Sequence, residues 1–161
     1  MNLPKRKHPR LKEYDYSQNG AYFVTICTKG KKPVLSQIDL NNYSVKLLKY
    51  GYVVDKLICS ISKAYPNISV INYVIMPNHL HLLLIFTKNK GGGMGSSRPT
   101  TLNLMVRGLK SLVTREVGFS IWQQGFYEHI IRNKRDFLIH YKYIDNNPAK
   151  WALDKYYVPN P

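Results

Sequence analysis

Acidic residues are scarce in this chain of 161 residues, where 9 Asp and Glu stand against 24 Lys and Arg, a net charge of +15 at pH 7. So many positive charges repel one another in a small folded protein. A polyanionic partner is the usual reason for a protein to retain such a charge. The basic residues are spread along the chain and not gathered on one amphipathic helix, which favours nucleic acid over an anionic membrane. The 13 tyrosines offer faces on which unpaired bases stack, although most of them fit equally well at the edge of a core.

Cysteines and long apolar runs are also few. Cys27 and Cys59 lie far apart in apolar segments, so the chain lacks a disulfide framework and a cysteine-rich metal motif, and we expect two reduced thiols. No apolar run reaches the 18 residues that a membrane-spanning helix needs, and the basic start of the chain is followed by no long apolar segment. These absences predict a cytoplasmic protein without membrane contact.

The length predicts one domain covering residues 1–161. Residues 1–19 are polar, basic and interrupted by two prolines, which indicates an N-terminal arm. Residues 88–100 are rich in Gly and Ser but lack the Gly-Lys-Ser/Thr of a phosphate-binding loop, which favours a flexible connector.

The apolar pattern predicts the order β-α-β-β-α-β followed by one more helix. The predicted strands cover residues 22–28, 70–76, 79–86 and 126–132, and the predicted helices cover 42–64, 102–117 and 134–147. This order is that of a ferredoxin-like α+β sandwich, in which two helices pack on one face of a four-stranded antiparallel sheet. The last helix is left for the open face or the rim of that sheet.

Two histidines stand at the start of the longest apolar strand. His79 and His81 are separated by one residue, so their side chains project to the same side and can hold one metal ion. The alternative is a pair of ordinary histidines bound to backbone carbonyls. On the last helix Tyr143 and Asn147 are four residues apart, hence on one face.

If that helix crosses the histidine-bearing face, the amide oxygen of Asn147 completes the metal site and Tyr143 stands one turn away. These ligands suit Mg²⁺ or Mn²⁺, and ligand type alone equally allows Zn²⁺.

Several segments resemble a known family. Residues 74–84, Val-Ile-Met-Pro-Asn-His-Leu-His-Leu-Leu-Leu, resemble the His-hydrophobic-His motif of the single-tyrosine (HUH) transposases related to the IS200 group. Residues 20–28, 121–132 and 143–148 resemble segments of the branch called REP-associated tyrosine transposases. The segments occur in the right order and together cover most of the chain.

The resemblance implies a function and its residues. Tyr143 is the implied nucleophile, and His79, His81 and Asn147 are the implied ligands of Mg²⁺ or Mn²⁺. The implied reaction nicks and rejoins single-stranded, hairpin-containing DNA through a 5′-phosphotyrosine link and a free 3′-OH, without a nucleotide cofactor. The insertion-sequence branch typically has Gln four residues beyond the tyrosine, whereas this chain has Asn followed by Pro, so self-mobilisation stays open. Monomer and homodimer both stay open as well.

Two other functions fit the same residues: a non-catalytic nucleic-acid-binding module of ferredoxin-like fold, and a metal-dependent hydrolytic nuclease. Glu128 and His129 can supply an acid or a base, but adjacent strand residues face opposite ways, so at most one reaches the site. Phosphate contacts are predicted for ten basic residues. These are Lys5, Arg6, Lys7, Arg10, Lys31, Lys32, Arg107, Lys110, Arg115 and Arg132.

Overall fold

The computed structural model describes residues 19–87 and 101–159. The predicted basic arm, apart from residue 19, and the predicted connector 88–100 lie outside these residues. The strands are β1 (Gly20–Cys27), β2 (Ser36–Ile38), β3 (Val45–Leu47), β4 (Ile68–Ile75), β5 (His79–Phe86) and β6 (Tyr127–Ile131). The helices are α1 (Lys49–Cys59), α2 (Ile61–Ala64), α3 (Leu102–Val117) and α4 (Lys134–Asn146), with 3-10 helices at Lys29–Lys31 and Pro148–Leu153. Among the described helices, none is long and apolar enough to span a bilayer.

The main sheet has the strand order β4-β5-β1-β6, and every neighbouring pair is antiparallel. Leu80, Leu82 and Leu84 point from β5 to the face that α1 and α3 cover. Leu83 points to the other face, where it packs with Phe23 and with Ile144 of α4. The structure confirms the α+β ferredoxin-like sandwich and places α4 on the open face of the sheet.

The predicted helix 42–64 is wrong at its start, because α1 begins only at Lys49 and the chain before it forms the β2–β3 hairpin. The turn of this hairpin is made by polar side chains that bond the local backbone, which favours a turn over a helix. Asp39 accepts from the N–H of Asn41 at 2.8 Å, and Asn42 accepts from the N–H of Ser44 at 2.9 Å.

Two other boundaries inform the site. α3 begins and ends where the sequence predicts, and Gly118 ends it in the left-handed conformation with φ of 94°. The predicted last helix 134–147 ends as an α-helix at Asn146, but Pro148 does not stop the helical path. Instead Pro148 opens a 3-10 helix, since proline is tolerated in a first turn, where its missing N–H has no partner to lose. This turn carries the C-terminal residues back toward β5.

Gly51 lies where α1 crosses the backbone before β2. A Cβ at this position would stand 2.0 Å from the carbonyl oxygen of Leu35. We expect Gly51→Ala to lower the free energy of unfolding by about 1–3 kcal/mol, because the overlap outweighs the higher helix propensity of Ala. Urea denaturation followed by circular dichroism measures the change.

Gly108→Ala in α3 is the matched control, since a Cβ there meets only the hydroxyl of Tyr65, at 2.8 Å. This hydroxyl ends a flexible side chain and can move aside, so we expect a much smaller change of stability. Equal stabilities of the two variants would contradict the close approach of α1 to Leu35.

Candidate active site

The two histidines open strand β5 directly after the Pro77-Asn78 turn. The β4–β5 hairpin is closed by the N–H of Met76, which donates to the carbonyl of His79 at 2.8 Å. His79 and His81 are both buried, and their ring centroids lie 4.7 Å apart. The alternation of strand side chains therefore brings the two imidazoles together, as the sequence predicts.

A neighbouring side chain holds the Nδ1 atom of each imidazole. Nδ1 of His79 lies 2.8 Å from Oδ1 of Asn78, whose Nδ2 donates to the carbonyls of Lys31 and Tyr156. These two bonds orient the amide so that its oxygen accepts from Nδ1–H of His79, which leaves the lone pair of this imidazole on Nε2. Nδ1 of His81 lies 2.7 Å from Oγ1 of Thr25, the residue opposite it on β1.

Each of the three predicted metal ligands has a buried polar atom that forms no hydrogen bond with any described residue. These atoms are Nε2 of His79, Nε2 of His81 and Oδ1 of Asn147. Buried polar atoms are nearly always bonded, and each unpaired one costs about 1–3 kcal/mol. Two imidazole nitrogens and one amide oxygen form a donor set that suits a divalent cation. The residues present thus fit the metal that the resemblance implies.

Burial decides the charge of the two imidazoles. Burial, with a smaller effect of the cations of Lys155 and Lys31, lowers the pKa of His79 to about 3. Burial also lowers the pKa of His81 well below its ordinary value, with His79 acting in the same direction. Both rings are therefore neutral near pH 7, which is the form that binds metal ions.

Asp154 is a further group beside the histidines that the sequence did not reveal. Its Oδ2 lies 4.0 Å from Nε2 of His79, and its side chain is only 7% exposed. Its Oδ1 accepts from the N–H of Tyr156 at 2.7 Å, which fixes the carboxylate. A separation of 4.0 Å is too long for a hydrogen bond but suits two groups that share one cation.

Tyr143 stands at the mouth of this site. Its ring meets that of His81 at a centroid distance of 5.3 Å and that of Phe23 at 5.8 Å, and it is 41% exposed. The buried Ile144 anchors α4 on the sheet, and Asn72 of β4 donates to the carboxylate of Asp145 at 2.8 Å. Tyr143 is thus open to solvent while the histidines lie behind it, and all these residues belong to one chain.

A positive charge accompanies the tyrosine. The ammonium groups of Lys31 and Lys155 lie 4.6 and 4.8 Å from the ring centroid of Tyr156, which itself packs against His79. Burial is the largest single effect on Lys155 and lowers its pKa. The effects of Tyr156, Tyr143 and Asp154 together outweigh burial, so the pKa of Lys155 is raised. Lys155 is therefore a cation within electrostatic reach of both Tyr156 and Tyr143.

The predicted phosphate contacts are spread over several surfaces. Lys31, Lys32 and Arg132 are exposed, and Lys31 borders the site. Arg107 and Arg115 are exposed on α3, the helix that covers the other face of the sheet. The four predicted contacts in the arm, Lys5, Arg6, Lys7 and Arg10, lie outside the described residues. A role in DNA binding stays a prediction for all of these residues.

Lys110 has a structural task that the sequence did not indicate. Its ammonium group donates to the carbonyls of Gln123 and Gly125 at 2.7 and 2.9 Å. Burial lowers the pKa of this lysine. With Arg115 it borders a groove of about 490 Å³ between α3 and the chain before β6, so its phosphate contact also stays a prediction.

Glu128 and His129 face opposite sides of the sheet, as adjacent strand residues must. Glu128 pairs with Val24 of the core under α1 and α3, whereas His129 pairs with Phe23 on the face that carries His81. His129 lies against Asp136 and His140 of α4. One ligand atom from each of these three residues lies within 4.8 Å of the other two, a spacing that fits one metal ion.

Known proteins resemble this chain along most of its length. No model of a known protein family matches it. A Haemophilus influenzae protein described as uncharacterized is 35% identical over 95% of this chain and 93% of its own. The REP-associated tyrosine transposase of Escherichia coli K12 is 29% identical over 84% of this chain and 70% of its own length. A second Haemophilus influenzae relative that carries the same family name is 26% identical over 84% of this chain and 74% of its own.

A solved structure shares the fold. The structure of a REP-associated tyrosine transposase bound to a REP hairpin superposes with a TM-score of 0.62 at 24% identity, covering 91% of this chain and 76% of that one. Relatives and fold agree with the motifs around His79 and Tyr143. In sequence the chain is similar to the REP-associated tyrosine transposases, and it shares the fold of one of them, in agreement with its resemblance to the IS200-like superfamily of single-tyrosine transposases.

Proposed function

We propose that this protein cleaves and rejoins single-stranded, hairpin-containing DNA through a covalent link to Tyr143, with a divalent cation held by His79, His81 and Asn147. Its similarity to the REP-associated tyrosine transposases supports a DNA-processing role. One observation carries the proposal: an accessible tyrosine packs against His81, and Nε2 of His79, Nε2 of His81 and Oδ1 of Asn147, one helical turn beyond this tyrosine, are buried without a hydrogen bond. A plain nucleic-acid-binding module has no use for this arrangement.

Tyr143 is the nucleophile of the proposed reaction. A tyrosine hydroxyl ordinarily loses its proton near pH 10, so it needs nearby positive charge to attack at neutral pH. Lys155 supplies such charge from the chain itself. The tyrosine oxygen bonds to the scissile phosphorus, the bond from phosphorus to the 3′ oxygen breaks, and this oxygen takes up a proton as it becomes a 3′-OH.

The link formed is a 5′-phosphotyrosine, which conserves the energy of the broken phosphodiester. A 3′-OH of the same or another strand can therefore reverse the step, and no nucleotide cofactor is consumed. This balance makes the reaction a strand transfer.

Buried side chains prepare the metal ligands. When bound, a divalent cation polarises the scissile phosphate and stabilises the charge that builds up in the transition state. Asn78 and Thr25 orient the two imidazoles toward this role, in the manner of residues that support metal ligands. We propose Mg²⁺ or Mn²⁺ as the ion, and Asp154 as a carboxylate that adds negative charge beside it.

We propose hairpin DNA as the partner because the structural relative was solved with a REP hairpin. The ammonium groups of Lys31 and Lys155 lie over Tyr156, whose ring packs against His79, and their charges favour a phosphate beside the site. Since α4 lies on its own sheet, one chain contains the complete set of proposed residues. A monomer is then sufficient for cleavage.

The test uses hairpin oligonucleotides with single-stranded flanks, labelled at one end or the other, with Mn²⁺ and a denaturing gel. A 5′-phosphotyrosine requires that the 3′-labelled fragment stay on the protein and the 5′-labelled fragment leave with a 3′-OH. The opposite polarity would contradict the proposed linkage. Cleavage without a protein-linked band would indicate a hydrolytic nuclease, and salt-sensitive binding without cleavage across a set of hairpins would indicate a binding module.

Asn147→Ala tests the third ligand. We expect the variant to bind Mn²⁺ at least about tenfold more weakly, because one of three protein ligands is lost. Calorimetric titration with Mn²⁺ measures the affinity. Asn146→Ala is the matched control, since Asn146 is the exposed neighbour on the last turn of α4. If both variants bind as the unchanged protein does, Asn147 is not a ligand.

A further inference from the structure

A second cluster of ligand-type side chains lies outside the proposed active site. The imidazoles of His129 in β6 and His140 in α4 both lie beside the carboxylate of Asp136 in α4. Nε2 of His129 lies 2.9 Å from Oδ2 of Asp136, and Nδ1 of His140 lies 3.1 Å from its Oδ1. The two imidazoles are stacked, with centroids 4.5 Å apart and planes at 19°. One ligand atom from each of the three residues lies within 4.8 Å of the other two.

Local geometry brings these three residues together. Asp136 and His140 are four residues apart on α4, hence on one face of the helix. His129 joins them because it pairs with Phe23, so its side chain points to the face of the sheet on which α4 lies. The N–H of Arg132 also donates to Asp136, at 2.9 Å. The carboxylate therefore has a fixed position beside Nε2 of His129 and Nδ1 of His140.

We propose that His129, Asp136 and His140 bind one transition-metal ion of the Zn²⁺ type, at a site separate from that of His79 and His81. Two imidazole nitrogens and one carboxylate oxygen are a ligand set that Zn²⁺ accepts, with a further position left for water. The side chains are 18–31% exposed, which gives an ion access from solvent.

The charge of the cluster suits a cation. Partial burial raises the pKa of Asp136, but the hydrogen bonds from Arg132 and His129 act more strongly, and the net pKa lies below its ordinary value. The carboxylate is therefore ionised throughout the neutral range. The presence of a carboxylate at position 136 has a simpler explanation, because Asp136 lies in the first turn of α4, where a negative charge stabilises the helix. This does not explain why both imidazoles lie within 3.1 Å of the carboxylate. Nδ1 of His140 also lies 2.9 Å from the backbone carbonyl oxygen of Asp136, so an ion would take this nitrogen from the carbonyl.

An ion at this site would position the helix that carries Tyr143. It would join β6 to the first two turns of α4, and Phe23 connects these turns to the active site. The ring of Phe23 packs against three other rings. Its centroid lies 4.7 Å from that of His140, 5.0 Å from that of His81 and 5.8 Å from that of Tyr143. His129, Asp136 and His140 are thus positioning residues. The ion binds whether or not Tyr143 cleaves DNA.

The test uses the full chain without an affinity tag, stripped of metal by a chelator and titrated calorimetrically with Zn²⁺. In a His79→Ala/His81→Ala background, which removes the first site, we expect one remaining equivalent of Zn²⁺. Adding His140→Ala or His129→Ala should weaken that binding at least about tenfold. His8 is the one histidine of the five that belongs to neither proposed site. His8→Ala is therefore the matched control and should leave the binding unchanged.

Two results would overturn the proposal: no Zn²⁺ bound in the double variant, or binding that His129 and His140 do not affect. Circular dichroism checks that each variant is folded. If the double variant does not fold, imidazole NMR signals of the unchanged protein decide the question. One equivalent of Zn²⁺ beyond that taken by the first site must shift the signals of His129 and His140, and unshifted signals would refute the site.

Discussion

Tyr143→Phe is expected to abolish the protein-linked DNA band and to reduce strand cleavage by at least about a thousandfold, because the variant lacks the only atom that can form the phosphotyrosine. The phenyl ring still fits against His81 and Phe23, since both contacts involve ring faces and edges. Folding and DNA binding should therefore be unchanged. Labelled hairpin DNA on a denaturing gel measures the cleavage, and a filter-binding assay measures the affinity.

Tyr141→Phe is the matched control for this experiment. Tyr141 lies on the same helix with a similar exposure, 36% against 41%, but packs on Phe137 and not on the histidines. We expect full activity from this variant. Equal losses in the two variants would refute Tyr143 as the nucleophile, and retained cleavage without a covalent band in Tyr143→Phe would replace the strand transferase with a hydrolytic nuclease.

His81→Ala should abolish measurable Mn²⁺ binding at the active site and reduce cleavage by at least about a hundredfold. The substitution removes one of the two imidazoles whose Nε2 atoms form no hydrogen bond with any described residue. Even residues that only support metal ligands affect activity by about 10- to 100-fold, so we expect loss of a ligand to have at least as large an effect. Affinity for DNA should persist, because we predict that the phosphate contacts are made by basic residues elsewhere. Electron paramagnetic resonance of free Mn²⁺ follows the binding, and the gel assay follows cleavage.

Loss of a buried side chain can also destabilise the fold, so this experiment needs a control on the same strand. Ile85→Ala truncates a partly buried residue on the same face of β5, four positions from His81. We expect it to be less stable than the unchanged protein but to bind Mn²⁺ normally. If Ile85→Ala loses Mn²⁺ as His81→Ala does, the effect is one of stability, and His81 is not shown to be a ligand.

Local patterns were enough for much of the fold. The period-two alternation of β5 predicts that His79 and His81 share a face, and the helical spacing from Leu102 to Val117 predicts α3 together with its Gly118 end. The β2–β3 hairpin was missed because Val45 and Leu48 fit a helical period as well as a strand. Side-chain bonds from Asp39 and Asn42 to the turn decide between the two.

The sequence by itself determined the family resemblance, the order of elements and the common face of Tyr143 and Asn147, because each depends on neighbours along the chain. Only the tertiary structure decided that this face lies over the histidines, and that Asp154 and Lys155 return to the same place. The cluster of His129, Asp136 and His140 likewise depends on how β6 and α4 meet. The physical reason is that these contacts follow from strand register and helix docking, which join distant residues and leave no local pattern in the chain.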